Sequence, residues 1–220
     1  MQAHPDCGMC FTNFTILYED GKTTTESALT THPELYPHEF SLERWILRMG
    51  YVGPMTWLVK KELFENRPNV KTVDGTFVLF ASFLARTNVG CLVNDTTAVY
   101  RRLNESASHS KSFENQYRFV NGLKNVQVSL AEYYRDILPN TGTLIREIND
   151  NYYNNRRYLL LSAIVGDKEE LRKASVVTHN KGLLRILLLI SKHMVLRKLL
   201  KNTYKHLKRW HWFFYKKKLK

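Results

Sequence analysis

The stretch VDGTFVLFASFLARTNVGCLVNDTTAVYRRLNESASHS, residues 73–110, decides the fold. Its first apolar residues recur at the i, i+3, i+4, i+7 spacing of one helical face: Phe77, Phe80, Ala81 and Leu84. We therefore predict a helix over residues 75–86. Short apolar segments at 91–93 and 97–101 predict two strands, with Asn94-Asp95 as the turn between them. A helix that alternates with strands in this way indicates an α/β or α+β fold.

Asp74 precedes the predicted helix and is the one carboxylate between Glu65 and Asp95. An aspartate at this position can cap the helix, because its oxygen accepts N–H groups that the first turn leaves unpaired. The alternative hypothesis is a carboxylate that faces a cleft and acts as a general base. Helical spacing alone does not decide between these two roles.

The segments before this stretch predict a strand at Cys7–Leu17, a turn at Glu19–Lys22, and a short helix over 42–49 that Ser41 caps and Gly50 ends. Cys7-Gly-Met-Cys10 is a C-x-x-C motif, which occurs in redox pairs and in zinc sites. No second ligand pair follows it, so the alternative is a buried strand whose thiols pack as small apolar groups. A total of three cysteines fits a reducing compartment rather than a disulfide framework.

The residues after Ser110 change character. Helical periodicity predicts helices over 112–138, 144–165 and 168–178. An apolar content of 44% is enough to build a core. The chain therefore combines a strand-containing first part with a helical second part.

The net charge of +13 is confined to residues 181–220, which contain ten Lys, three Arg and no acidic residue. The remaining 20 basic residues balance the 20 acidic ones, so the body is neutral and does not resemble a generally basic nucleic-acid-binding domain. On a helical wheel the tail separates an apolar, aromatic face from a basic face, which is typical of a helix in a membrane interface. We predict that these residues bind an anionic membrane: Arg197, Lys198, Lys201, Lys205, Lys208, Arg209, Trp210 and Trp212. A helix packed on the body and an RNA-binding helix are the alternatives.

Four segments, in order and spacing, resemble a family 2 glycosyltransferase of the bacterial surface-polysaccharide kind. They are HPDCGMCFTNFTILYEDGK at 4–22, GYVGPMTWLVKKELFE at 50–65, VDGTFVLFASFLA at 73–85 and VGCLVNDTTAVYRRLNESAS at 89–108. The resemblance covers about residues 3–110. It implies a GT-A fold and an inverting transfer of a sugar from a nucleotide-sugar donor to a surface-polysaccharide or other glycan acceptor.

The resemblance also implies roles for individual residues. Asp74 would be the base that takes the proton of the acceptor hydroxyl. Trp57 would give the acceptor sugar an apolar platform, or belong to the core, and Tyr100 and Arg101 match the family's Tyr-Arg. Arg101 would meet donor phosphate or brace the following loop, where Ser108 and His109 would close over the donor or a metal.

The chain departs from the family pattern in two places. Gly75 follows Asp74, where the family has a bulky residue. No Asp-x-Asp motif is present to bind Mg²⁺ or Mn²⁺ and the donor diphosphate. We therefore expect the chain to begin downstream of the nucleotide-binding half and to hold no cofactor, with Mg²⁺ or Mn²⁺ required only by the complete enzyme.

These inferences define an α/β protein with an incomplete GT-A-like mixed sheet, flanking helices and a helical C-terminal region. Residues 1–110 would be the acceptor-side half, 111–180 a helical extension and 181–220 the membrane-associating tail. We expect a cytoplasmic protein at the inner face of the cell membrane, with a separate N-terminal half as partner and no nucleic acid. The alternative is a non-enzymatic helical protein that binds membrane or nucleic acid.

Overall fold

The computed structural model describes residues 7–22, 41–48, 53–65, 67–72, 74–103, 110 and 112–165, together with 193, 198–199 and 202–203. These ranges contain β1 (Cys7–Tyr18), α1 (Leu42–Ile46), β2 (Trp57–Val59), α2 (Gly75–Leu84), β3 (Asn88–Arg102), α3 (Phe113–Tyr133) and α4 (Thr141–Val165). Two 3₁₀ turns, Pro54–Thr56 and Lys61–Phe64, flank β2. The described residues fall into two compact units, one from residues up to 104 and from 122–149, the other from residues within 105–121 and from 150 onward. The predicted mixed α/β class is confirmed.

The sheet of the first unit has three strands in the order β2-β1-β3. β2 pairs with β1 in the antiparallel sense and β3 pairs with β1 in the parallel sense. The central strand β1 is buried over Cys7–Phe14 except at Thr12, which is half-buried, so residues on both faces of this part of the strand are covered. Gly8 permits its close packing, because a Cβ at this position would lie 2.6 Å from Thr87 Oγ1 and 2.8 Å from Leu63 Cδ1.

β3 corrects the prediction of two strands separated by a turn. Residues 88–102 form one continuous strand against β1. Thr12 pairs with Val93 and Asn13 pairs with Thr96, so Asn94 and Asp95 are the extra residues of a bulge. A bulge inserts unpaired residues while the strand continues. Polar residues such as Asn and Asp occur at such positions as well as in turns, so the sequence does not distinguish the two.

The core of the first unit lies between the sheet and the helices. Phe80, Ala81 and Phe83 of α2 are fully buried, as are Val126 and Leu130 of α3. The same core includes Met9 and Phe11 of β1, Leu144 and Ile148 of α4, and three residues of α1, Leu42, Trp45 and Ile46. The predicted apolar face of α2 is thus confirmed, and Phe83 adds to it because the helix is enclosed on more than one side.

α1 is shorter than predicted. Ser41 caps it as expected, with its Oγ accepting the N–H of Arg44 at 3.2 Å. The helix ends at Ile46 rather than Met49, because Arg48 adopts the left-handed conformation with φ +57°. The left-handed residue that follows the helix is therefore Arg48. The prediction that Gly50 has this role lies outside the described residues.

The second unit contains the first part of α3 and the later part of α4. The Tyr152 hydroxyl and the Asn121 side-chain oxygen are hydrogen-bonded, which joins the two helices. The rings of Phe113 and Tyr117 stack at 5.8 Å between centroids along α3.

Within the described ranges, no helix is both long and apolar enough to cross a bilayer.

Candidate functional site

Asp74 lies at the N-terminus of α2, and each of its carboxylate oxygens has a donor. Oδ1 accepts the Thr76 hydroxyl at 2.7 Å and the Phe77 N–H at 3.2 Å. Oδ2 lies 3.3 Å from Nη1 of Arg48. The capping role predicted for Asp74 is therefore confirmed, and its role as a base stays a prediction. Its side chain keeps 27% of its surface exposed, so a small group can still reach the carboxylate.

Arg48 is the residue of this site that the sequence did not reveal. Its guanidinium pairs with Asp74 and also lies 5.2 Å from the centroid of the Phe77 ring, a cation–π distance. The left-handed backbone of Arg48 costs an L-residue roughly 1 kcal/mol. A basic residue near a helix C-terminus is a common and unspecific signal, and nothing in the sequence indicates that it meets a residue 26 positions later.

Two hydrogen bonds hold α1 so that Arg48 reaches Asp74. The indole N–H of Trp45 donates to the carbonyl of Phe77 at 2.9 Å. The buried Gln127 side chain of α3 donates to the carbonyl of Ile46 at 2.6 Å. Both bonds are buried, so breaking either one leaves an unpaired polar group in the core. The Arg48–Asp74 junction is thus anchored to α2 and α3.

A cleft of about 530 Å³ adjoins the start of α2, and we call it the α2 cleft. Two of its lining residues, Thr72 and Gly75, flank Asp74 in the sequence. The Thr72 hydroxyl is engaged by the main chain of Asp74, from which it accepts an N–H and to whose carbonyl it donates, both at 2.8 Å. The described residues that line it are Phe64, Arg67, Pro68, Asn69, Val70, Thr72, Gly75, Val78 and Leu79.

Trp57 lies in β2 and packs against α2. Its ring centroid is 5.1 Å from that of Phe80 and 6.0 Å from that of Phe83. Its indole N–H is buried and has no hydrogen-bond partner among the described residues. Phe80 follows Asp74 by six helical residues, a rise of about 9 Å. Trp57 and Asp74 therefore meet α2 at different points along its length.

Tyr100 and Arg101 lie next to each other near the end of β3, opposite Ile16 and Leu17 of β1. The Tyr100 ring makes an edge-to-face contact with Phe14 at 6.1 Å. Arg101 is exposed. Consecutive strand residues project to opposite faces of a sheet, so the two side chains do not share one surface.

The remaining predicted residues fall mainly outside the described part of the chain. Ser108 and His109 lie there, and so do the tail residues Arg197, Lys201, Lys205, Lys208, Arg209, Trp210 and Trp212. Lys198 is described and is exposed. Its neighbour Leu199 is 59% exposed and accepts the Thr203 hydroxyl at its carbonyl, at 3.0 Å, an i, i+4 contact typical of a helical turn.

The cysteine motif belongs to the interior of the sheet. Cys7 and Cys10 are buried thiols of β1, as the buried-strand alternative predicts, and Cys10 is in register with Cys91 of β3. Among the residues that the structure describes, no three His, Cys, Asp or Glu side chains come together as a metal site.

Comparisons of the chain with protein-family models, curated proteins and solved structures found no match.

Proposed function

We propose that the first unit is the acceptor side of an inverting glycosyltransferase and that Asp74 is its general base. The observation that carries the proposal is the geometry of Asp74: a partly exposed carboxylate with both oxygens held, beside a cleft. A general base must be reachable and must point in a defined direction. A helix N-terminus and a guanidinium suit a carboxylate anion at this position.

In the proposed reaction, the Asp74 carboxylate accepts the proton of an acceptor hydroxyl as that oxygen attacks the anomeric carbon of the donor sugar. The new carbon–oxygen bond forms while the bond to the nucleotide diphosphate breaks, so the configuration inverts. Donor binding would be supplied by a separate segment or subunit, because this sequence has no Asp-x-Asp motif. No step is assigned to a metal in this chain.

The competing interpretation is that Asp74 only caps α2 and pairs with Arg48. Asp74→Asn separates the two, because asparagine is also a good N-cap but is a much weaker base. We would assay sugar transfer from a panel of nucleotide-sugars to membrane glycans, using the protein produced from the whole genomic locus. We expect Asp74→Asn to lower kcat by at least about a hundredfold, while its loss of stability, about 1 kcal/mol, leaves the protein folded in the assay.

Asp20→Asn is the matched control, because Asp20 is an exposed aspartate in a turn, and it should leave transfer unchanged. The proposal fails if the locus product transfers no sugar from any donor. It also fails if Asp74→Asn transfers sugar at the normal rate.

We also propose that the tail, residues 181–220, binds an anionic membrane surface. The supporting observations are its charge of +13 without acidic residues and the exposure of Leu199 beside the exposed Lys198. Each basic side chain near an anionic leaflet contributes roughly 1 kcal/mol, so several of them together are enough for association.

Cosedimentation with liposomes tests the tail. The chain should sediment with vesicles containing phosphatidylserine, and a chain without residues 181–220 should stay in the supernatant. Vesicles of phosphatidylcholine alone are the control, and raised salt should weaken binding to the anionic vesicles because exposed charges are screened. Equal sedimentation of the truncated chain would reject this proposal, and binding to RNA instead of vesicles would favour the nucleic-acid alternative.

A further inference from the structure

The α2 cleft combines polar and apolar groups in a way that indicates its ligand class. Its volume of about 530 Å³ lies within the range of small-molecule sites, roughly 300–1,000 Å³. Its described polar groups include a guanidinium, Arg67, and an amide, Asn69, and no carboxylate is among the described residues that line it. The cleft therefore offers hydrogen-bond donors and one positive charge.

Arg67 and Asn69 are not used by the fold. Within the described ranges, neither side chain has a hydrogen-bond or ion-pair partner, and both residues are exposed. Arg86 is different, because its guanidinium donates hydrogen bonds to the carbonyls of Glu62 and Leu63 and therefore stabilises the fold. The guanidinium of Arg67 is consequently available to an external acceptor.

Phe64 provides the aromatic surface of the cleft. It is 43% exposed, although it is held by an edge-to-face contact with Phe83 at 5.3 Å between centroids. An aromatic ring that is both fixed and exposed suits the C–H face of a sugar ring, because it loses little freedom when a ligand stacks on it. A sugar on Phe64 could direct its polar substituents toward Arg67 and Asn69.

We propose that the α2 cleft binds an acidic sugar of the glycan acceptor, with its carboxylate on Arg67 and its ring on Phe64. A guanidinium matches a carboxylate with two parallel hydrogen bonds, whereas a neutral hydroxymethyl group uses one of them at most. The identity of the ligand as an acceptor rests on the proposed transfer reaction. Thr72 and Gly75 of its lining flank Asp74 in the sequence, so we place the reacting hydroxyl of the acceptor at this end of the cleft, toward the proposed base.

The charge of Asp74 does not oppose this arrangement directly, because its Oδ2 is paired with Arg48 at 3.3 Å. The cleft thus separates two functions. Arg67 would select the acidic substituent, and Asp74 would act on a hydroxyl.

Saturation-transfer NMR on the full chain tests the proposal without any donor. The probes are the methyl glycosides of galacturonic acid and galactose, which differ only in a carboxylate in place of a hydroxymethyl group, with the matching glucuronic acid and glucose pair. We expect the acidic sugars to bind about three- to fivefold more tightly, the effect of one partly exposed charge pair. Arg67→Gln should remove this preference, and Arg67→Lys should restore part of it.

Lys71→Gln is the matched control, because Lys71 is an exposed cation of the same loop that does not line the cleft. It should leave the preference intact. Equal binding of acidic and neutral sugars, no saturation transfer from either, or an unchanged preference in Arg67→Gln would overturn the proposal. The binding measurement does not depend on sugar transfer. An unchanged preference for acidic sugars in Arg67→Gln rejects this binding site alone, whereas a normal transfer rate in Asp74→Asn rejects the proposed base alone.

Discussion

The turn at Glu19–Lys22 and the Arg48–Asp74 junction each contain one carboxylate–cation pair. In the turn, Lys22 Nζ lies 3.6 Å from Asp20, two residues away, and both side chains are mostly exposed. At the junction, Arg48 lies 3.3 Å from Asp74, and only about a third of either side chain is exposed. The comparison shows that two ion pairs of similar length can contribute differently to stability. The first pair needs only a turn, whereas the second needs two helices in their final positions and is less screened by solvent.

The largest effect on stability is expected from Asp74→Ala. This change removes the cap of α2 and leaves the Arg48 guanidinium without its carboxylate, and we expect it to lower the free energy of unfolding by about 2 kcal/mol. Urea unfolding followed by circular dichroism measures it. Asp74→Asn keeps the cap and should lose about half as much. An Asp74→Ala effect no larger than that of Asp20→Ala would contradict the difference between the two regions.

The next effect concerns the backbone of Arg48. Arg48→Met loses the ion pair and the cation–π contact, and we expect a destabilisation of about 1 kcal/mol. Arg48→Gly loses the same contacts but relieves the left-handed conformation, so it should be about 1 kcal/mol more stable than Arg48→Met. The difference between these two variants isolates the backbone cost. If glycine were the worse substitution, Arg48 would not be strained in the folded protein.

Tyr133 and Tyr134 are neighbours that differ in burial, because Tyr133 is exposed and Tyr134 is half-buried. Burial, and then repulsion from Tyr133, raises the pKa of Tyr134 to about 12 against the opposing effect of Arg86. Because the folded pKa is the higher one, the folded state holds this proton longer, and stability is lost as the pH rises from about 10 to 12. The loss should be about 1 kcal/mol after solvent screening. Tyr134→Phe should remove this component, whereas Tyr133→Phe, at an exposed position, should reduce it only slightly.

The smallest effect is expected at the turn. Asp20→Ala removes an exposed pair and one hydrogen bond from the N–H of Lys22, and we expect less than about 0.5 kcal/mol. Raising the salt concentration should abolish most of the contribution of the ion pair. A double-mutant cycle on Asp20 and Lys22 should therefore give a smaller coupling than one on Arg48 and Asp74. Equal coupling energies would remove the basis of the comparison.

Local sequence signals predicted the elements whose stability is local. Ser41 and Asp74 cap their helices as expected, because a capping residue bonds only to the next few N–H groups. The prediction failed where a local signal had two structural meanings. Asn94-Asp95 has the composition of a turn, but pairing with β1 absorbs both residues as a bulge.

The candidate site shows the same division. Asp74 was identifiable as an isolated carboxylate before an apolar helix, and the two cysteines as part of a buried strand. The Arg48 contact was not identifiable, because it joins residues 26 positions apart whose separation carries no periodic signal. The α2 cleft was not identifiable either, because its described lining lies within residues 64–79 and depends on the conformation of a loop, which has no periodic pattern. Gln127 also belongs to this group, since its bond to Ile46 joins residues 81 positions apart.

The sequence by itself determined the mixed α/β class, the apolar face of α2, the capping position of Asp74 and the concentration of positive charge after residue 180. These properties depend on composition and on spacing over a few residues. Only the tertiary structure decided that β3 runs unbroken beside β1, that Arg48 adopts a left-handed conformation to reach Asp74, and that Trp57 packs on Phe80 and Phe83. The physical reason is that long-range contacts can outweigh local preferences of about 1 kcal/mol per residue.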